Sequence, residues 1–349
     1  MSTEPQPGSE PGPRRLSELA GQDAAVQRLS SLLTSGRVHH ALLFEGPDGV
    51  GKMTAARLLA QAMLCERPRG ADACGQCTAC VKMETGHPDV HVIDTDEKLL
   101  KVDAIREGTA ALQLRPTEGR FRVLIIRDAD RMNPQSQNAL LKTLEEPPGQ
   151  AHLILTTARP RSLLVTVLSR CLKIAFMPVS TGAIAELLAA RRGLSSASAR
   201  VLAALSGGAP GRAFAADAEA VLAARDRAAE LDRALDPGGP GTVRAALAAA
   251  EGLNETPEEM RSTLDLLGVW LRDQLLVATR GAGEDLANAD QRDEILRLAE
   301  ARGSYEILRR ARVLEHWQRE LSSPYNRNPL MIAEQLCLGL VARSSNAET

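Results

Sequence analysis

Residues Gly46-Pro47-Asp48-Gly49-Val50-Gly51-Lys52 lie between an apolar run, Ala41–Phe44, and a helical pattern, Lys52–Cys65. Glycines let successive backbone N–H groups turn toward one point. A helix N-terminus adds partial positive charge, and a lysine at its start reaches an outer phosphate. The chemistry is phosphate cradling, with a plain strand–turn–helix connection as the alternative. A loop of this kind that also holds Mg²⁺ follows its lysine with Ser or Thr, whose hydroxyl ligates the ion. Here Met53 follows, and Thr54 lies about 100° further round the helix.

The partner of such a loop is an apolar strand ending in Asp-Glu, one carboxylate for the metal and one for the attacking water. Val123-Leu124-Ile125-Ile126 is followed instead by Arg127-Asp128-Ala129-Asp130. With Arg127 in the metal position, a cation repels Mg²⁺. Shifted by one residue, Asp128 serves the metal and Ala129 occupies the base position. The pair is incomplete in either register. Phosphoryl transfer depends on metal placement and electrostatics, so the sequence predicts no effective ATP hydrolysis and weak or absent nucleotide binding.

Cys65, Cys74, Cys77 and Cys80 form C-x8-C-x2-C-x2-C. Four thiolates at this spacing suit a closed tetrahedral Zn²⁺ site of structural role, stabilising an insertion over about residues 65–90. An iron–sulfur cluster and a chance grouping of thiols are the alternatives. Cys171 and Cys337 are isolated among apolar residues and read as buried small hydrophobes. His87 and His91 read as surface or turn residues, and Glu145-Glu146, before Pro147-Pro148, as a solvated helix end.

The elements that must position these groups are legible as alternation. Candidate strands are Ala41–Phe44, Val90–Ile93, Phe121–Ile126, His152–Thr156 and Leu172–Phe176; candidate helices are Asp23–Thr34, Lys52–Cys65, Val102–Leu114 and Pro134–Glu145. Short apolar strands separated by helices predict an α/β fold with a parallel sheet. Beyond Pro178 the strand signal disappears. Thr181–Arg191 and Ser195–Ser206 read as helices, Ser206–Gly211 as a break, Ala213–Leu235 as a helix and Asp236–Gly241 as a loop. Residues 242–345 read as helical, interrupted near Gly281 and at Ser322–Pro329. The expected organisation is a disordered tail over 1–13, a P-loop domain over 14–178, a small helical lid over 179–214 and a helical domain over 215–349.

Composition limits the rest. The 349 residues carry 42 Lys+Arg against 44 Asp+Glu, a net charge of −2, which argues against coating nucleic acid through bulk charge. Only 4 Phe, 2 Trp and 2 Tyr are present, too few for a base-stacking platform. The N-terminus has no apolar signal region and no run approaches the ~20 residues of a membrane helix. The expectation is a cytoplasmic protein with no membrane partner.

Several stretches together carry a resemblance: Gly21-Gln22, His39-His40-Ala41-Leu42-Leu43-Phe44-Glu45-Gly46, the cysteine cluster, Asp128–Asn133, Asn138-Ala139-Leu140-Leu141-Lys142-Thr143-Leu144-Glu145-Glu146-Pro147-Pro148, and Leu168-Ser169-Arg170-Cys171. Over about residues 16–215 the chain resembles the AAA+ clamp-loader subunits of bacterial DNA polymerase III, and among them most closely the delta-prime family. The active gamma/tau ATPases share the cysteine insertion but keep Thr after the lysine and an Asp-Glu pair. Val165 departs from the family's common Pro at that position, near the start of a strand.

The resemblance implies an AAA+ sheet with a zinc insertion, a helical lid and an all-helical collar domain. It implies a non-hydrolysing member of a ring with gamma/tau and delta subunits, acting on the sliding clamp and primed DNA through the complex. It implies that Arg170 is an arginine finger for a neighbour's ATP, and that Thr157 and Arg212 occupy the nucleotide-sensing positions. Two other functions stay open at the level of sequence: a working gamma/tau-type ATPase, and a free zinc-dependent DNA-binding protein.

Overall fold

The computed structural model describes residues 12–95, 97, 99–235, 242–253, 256–281, 286–321 and 328–342. Most of the expected tail, the loop Asp236–Gly241 and most of the interruption Ser322–Pro329 lie outside them. Among the described residues, no helix is long and apolar enough to cross a membrane.

Five strands form one parallel sheet in the order β2-β3-β4-β1-β5. They are β1 (Ala41–Glu45), β2 (Val90–Ile93), β3 (Arg122–Ile126), β4 (Ala151–Thr157) and β5 (Leu172–Ala175). Register is set by pairs such as Leu43 with Leu155 and Ile126 with Leu155. The central strands are apolar over most of their length because both faces are covered. Leu42, Phe44, Val123, Ile125 and Ile154 share one core with Leu29, Ala55 and Leu59. These last three come from α1 (Asp23–Thr34) and α2 (Lys52–Leu64). Leu43, Leu124, Ile126, Leu153 and Leu155 share the other core with Ile105 and Leu140. Between α2 and β2 lies α3 (Thr78–Thr85); α4 (Val102–Leu112) and α5 (Pro134–Glu145) cover this second face. The period-two split of the strands between two cores is what fixes their register. With this order the ends of β1, β3 and β4 come together, carrying the glycine loop, Arg127–Asp128 and Thr157.

Three helices differ from expectation. Inside the insertion, α3 follows Cys77. A short α6 (Val165–Leu168) precedes β5, so Val165 stands at a helix start rather than at a strand. A proline there suits the first helical position, where its missing N–H costs nothing. After α7 (Thr181–Arg192) and α8 (Ser196–Leu205), α9 (Pro210–Ala215) occupies part of the expected break. Asp217 then starts α10 (Ala218–Ala234) by accepting from the N–H groups of Glu219 and Ala220, at 2.9 and 3.3 Å. That cap divides the helix expected over Ala213–Leu235.

The chain forms two compact units, 1–183 with Gly208–Arg212, and Ile184–Gly207 with 213–349. The second contains α8, α10, α11 (Thr242–Gly252), α12 (Pro257–Arg280), α13 (Arg292–Leu321) and α14 (Pro329–Val341). Non-helical Gly303, at φ 70°, kinks α13. Val201 of α8 shares one apolar core with Ala228, Leu267, Ile307 and Leu336 of the later helices. Within it, fully buried Asp232 pairs with Arg310 at 2.9 Å and Arg302 at 2.6 Å. It also accepts from Trp270 Nε1 at 3.0 Å and Gln274 Nε2 at 2.9 Å.

Candidate functional site

The glycine loop turns as its sequence requires. Gly46, Gly49 and Gly51 have φ of 151°, 80° and 102°, a region that side chains other than glycine rarely adopt. A Cβ on Gly46 would stand 2.2 Å from the Phe176 carbonyl oxygen. The loop is braced from outside: Gly211 N–H donates to Gly49 O at 2.9 Å, and exposed Arg212 lies beside Gly49. Buried Gln22 donates to Val50 O and Met177 O, at 3.3 and 2.7 Å, and accepts from Met177 N–H at 3.1 Å. Val50 itself is buried in the first core, with Met53 packed against it.

Lys52, only 5% exposed, donates to Gly46 O and Pro47 O at 2.6 Å each and faces Asp48 at 3.6 Å. Burial pushes its pKa down, opposed by the charge of Asp48. The ammonium that would meet a phosphate is thus held by the loop's own carbonyls. Thr54 is half-buried on α2.

At the end of β3, Arg127 pairs with Asp94 at 3.1 Å and with Asp128 at 3.4 Å. Asp128 takes a left-handed conformation, φ 49°, and its N–H donates to Thr156 Oγ1 at 3.1 Å. Burial raises its carboxyl pKa, with Lys52 among the charges it senses. Thr157 Oγ1, fully buried, donates to Asp130 Oδ1 at 2.8 Å, and Arg159 Nε donates to Oδ2 at 2.9 Å. Burial works against the Asp130 carboxylate, but these hydrogen bonds outweigh it and hold its pKa below the usual range. The structure therefore brings the loop, Arg212, Asp128, Asp130 and Thr157 to one end of the sheet. At the end of β3 stand Arg127 and Asp128 rather than two carboxylates.

Arg170 follows α6 by two residues. Its Nη2 lies 2.7 Å from Glu145 Oε1, and its Nη1 donates to Thr166 O at 3.0 Å and Ser169 Oγ at 3.3 Å.

The four cysteine sulfurs lie within 4.8 Å of one another. Cys65 and Cys77 are 3.9 Å apart, as are Cys74 and Cys80. A tetrahedron with metal–sulfur bonds of about 2.3 Å has edges of about 3.8 Å, so the donor set fits one ion such as Zn²⁺. The N–H groups of Gln76 and Cys77 point at Cys74 Sγ and lower its pKa to about 6, whereas burial raises those of Cys65 and Cys80. His87 is buried, not on the surface, and its Nδ1 accepts from Asp89 N–H at 3.1 Å.

The family model described as DNA polymerase III, delta subunit, matches residues 21–180. The delta' subunit of DNA polymerase III from Pseudomonas aeruginosa is 33% identical over 310 residues, which span 85% of this chain and 90% of that protein. The chain belongs to the delta' family. The tau subunit from Salmonella typhimurium is 41% identical over 162 residues, 46% of this chain, but the chain spans only 25% of that subunit's length. The Escherichia coli delta' subunit is 38% identical over 148 residues, covering 42% of this chain and 44% of that protein. In this delta' family member, sequence reasoning missed Gln22 and the Gly208–Arg212 segment as braces of the loop, Asp94 as partner of Arg127, and Glu145 as partner of Arg170. Gln22 and Glu145 lay inside stretches already singled out, but nothing local to either marks its partner.

Proposed function

We propose that this chain is a non-hydrolysing subunit of the DNA polymerase III clamp loader, helping gamma/tau and delta subunits place the sliding clamp on primed DNA. The observation that carries the reading is the altered metal half of its nucleotide site. Met53 follows Lys52, and Arg127, paired with Asp94 and Asp128, stands at the end of β3. A guanidinium already paired with the nearest carboxylates leaves no acidic pair to hold Mg²⁺ and polarise water. Lys52, engaged with Gly46 and Pro47, favours weak or absent nucleotide binding.

Arg170 then acts in trans. A planar, permanently charged guanidinium can fork across the oxygens of a transferring phosphoryl group held by a neighbouring ATPase subunit. Thr157 and Arg212, at the family's sensing positions, serve here mainly to hold Asp130 and to flank Gly49. Zn²⁺ held by Cys65, Cys74, Cys77 and Cys80 fills a closed site with no open coordination position, and its contribution is to the fold of the insertion. The complex works in the cytoplasm.

The test is reconstitution with tau and delta subunits. Clamp loading should require this chain, while the isolated chain turns over ATP at background. Metal-dependent turnover by the isolated chain would favour an active gamma/tau-type ATPase instead.

A further inference from the structure

Glu145 ends α5 at the point where Glu146, Pro147 and Pro148 close the helix. Its carboxylate does not simply face solvent: Oε1 lies 2.7 Å from Arg170 Nη2. We propose that Glu145 is a positioning residue, holding the Arg170 guanidinium ready for the neighbour's nucleotide. This rests on the reading of Arg170 as an arginine finger.

The two residues are 25 positions apart in sequence, yet their meeting is fixed by buried bonds. Gln137 of α5, 2% exposed, donates to Met132 O at 3.0 Å and Ser162 O at 3.2 Å. Its Oε1 accepts the N–H of Leu164, the residue that caps α6, at 2.7 Å. The start of α6 is thereby tied to α5, and the far end of α5 delivers Glu145 to the residue that follows α6. On the other side of the guanidinium, Thr166 O and Ser169 Oγ hold Nη1. Nη1 and Nη2 are thus both anchored, while Nε has no hydrogen-bond partner among the described residues. Nε is the donor left to reach a phosphate.

An ion pair with side chains 35% and 51% exposed contributes little to stability. Its effect is on orientation. An arginine side chain has many rotamers, and a finger acts only when its donors stand where charge develops in the transition state. Anchoring both terminal nitrogens removes that search before the neighbour's nucleotide arrives.

The test compares clamp-loader complexes carrying wild-type chain, Glu145→Gln, Arg170→Ala and the double variant, matched for assembly, in ATPase with DNA and clamp and in clamp-loading rate. Glu145→Gln keeps the shape and removes the charge. It should slow loading about tenfold, with the fall in kcat and the ATP concentration at half-maximal rate unchanged. The double variant should be no worse than Arg170→Ala alone. Full activity of Glu145→Gln beside a defective Arg170→Ala would overturn the positioning role and leave the finger standing. A double variant worse than Arg170→Ala would place Glu145's effect elsewhere, and faster loading by Glu145→Gln would make the pair a restraint. Full activity of Arg170→Ala would overturn the finger itself.

Discussion

Lys52 donates its buried ammonium to the Gly46 carbonyl oxygen over 2.6 Å. A loop lysine that caps its own carbonyls must leave them before it can meet a phosphate. The isolated chain should therefore bind ATP weakly, and Lys52→Ala should change that affinity by less than about fivefold, as for a contact worth under about 1 kcal/mol net. Titration of a fluorescent ATP analogue against both proteins checks it. Tight, Mg²⁺-dependent binding abolished by Lys52→Ala would contradict it.

The cysteine cluster predicts about one Zn²⁺ per chain by elemental analysis. Changing Cys74 and Cys77 to Ser should remove the ion and make residues 65–90 sensitive to protease. Only the sulfurs of Cys65 and Cys80 would remain, each without the partner sulfur that stands 3.9 Å away in the wild-type chain. A metal-free chain with unchanged resistance would sink the proposal.

In the helical unit, the single carboxylate of Asp232 pairs with two arginines, Arg302 and Arg310. Asp232→Ala removes the carboxylate that both guanidinium groups share in this core and should cost about 3–5 kcal/mol, as for other broken buried pairs. Urea unfolding of the second unit reads the loss. A change within ~0.5 kcal/mol would mean that water reaches these side chains once the carboxylate is gone.

Asp89 is fully buried and accepts from the N–H groups of Thr117, Glu118 and Gly119 at 2.6, 2.9 and 2.7 Å. Burial opposes its charge, but these bonds and Arg122 hold its pKa below the usual carboxylate value. A depressed folded pKa gives stability that is complete above the unfolded value of about 4 and is lost as pH falls through the lower folded value. Asp89→Asn should destabilise the chain at pH 7 and flatten the acid side of its stability profile below about pH 4. Melting temperatures of both proteins across that range provide the check; parallel profiles would remove Asp89 from the acid response.

Much of the sheet was legible because a doubly covered parallel strand must be apolar along its whole length. Ala41–Phe44 and Val123–Ile126 announce themselves that way, and the glycine loop and cysteine spacing are local patterns. The resemblance singled out Arg170, but its environment was hidden. Glu145 is distant in sequence and looked like an ordinary charged helix end, and only the packing of α5 on α6 joins the two. Gln22 was equally opaque, since the segment it braces against, at Met177, lies 155 residues away. The break expected at Ser206–Gly211 concealed α9 because its glycines masked Pro210, a residue suited to a first helical turn.

In the proposed role, this chain gives an arginine to another subunit's ATP and uses no ATP of its own. The most direct measurement is steady-state ATPase and clamp loading by complexes carrying wild-type chain, Lys52→Ala or Arg170→Ala, equal in assembly. Lys52→Ala should match wild type. Arg170→Ala should load clamps at least about tenfold more slowly, a finger being worth about 10³–10⁵ at its own site, while bulk ATPase falls only in part because other sites keep theirs. Loss of loading with Lys52→Ala and none with Arg170→Ala would contradict the account.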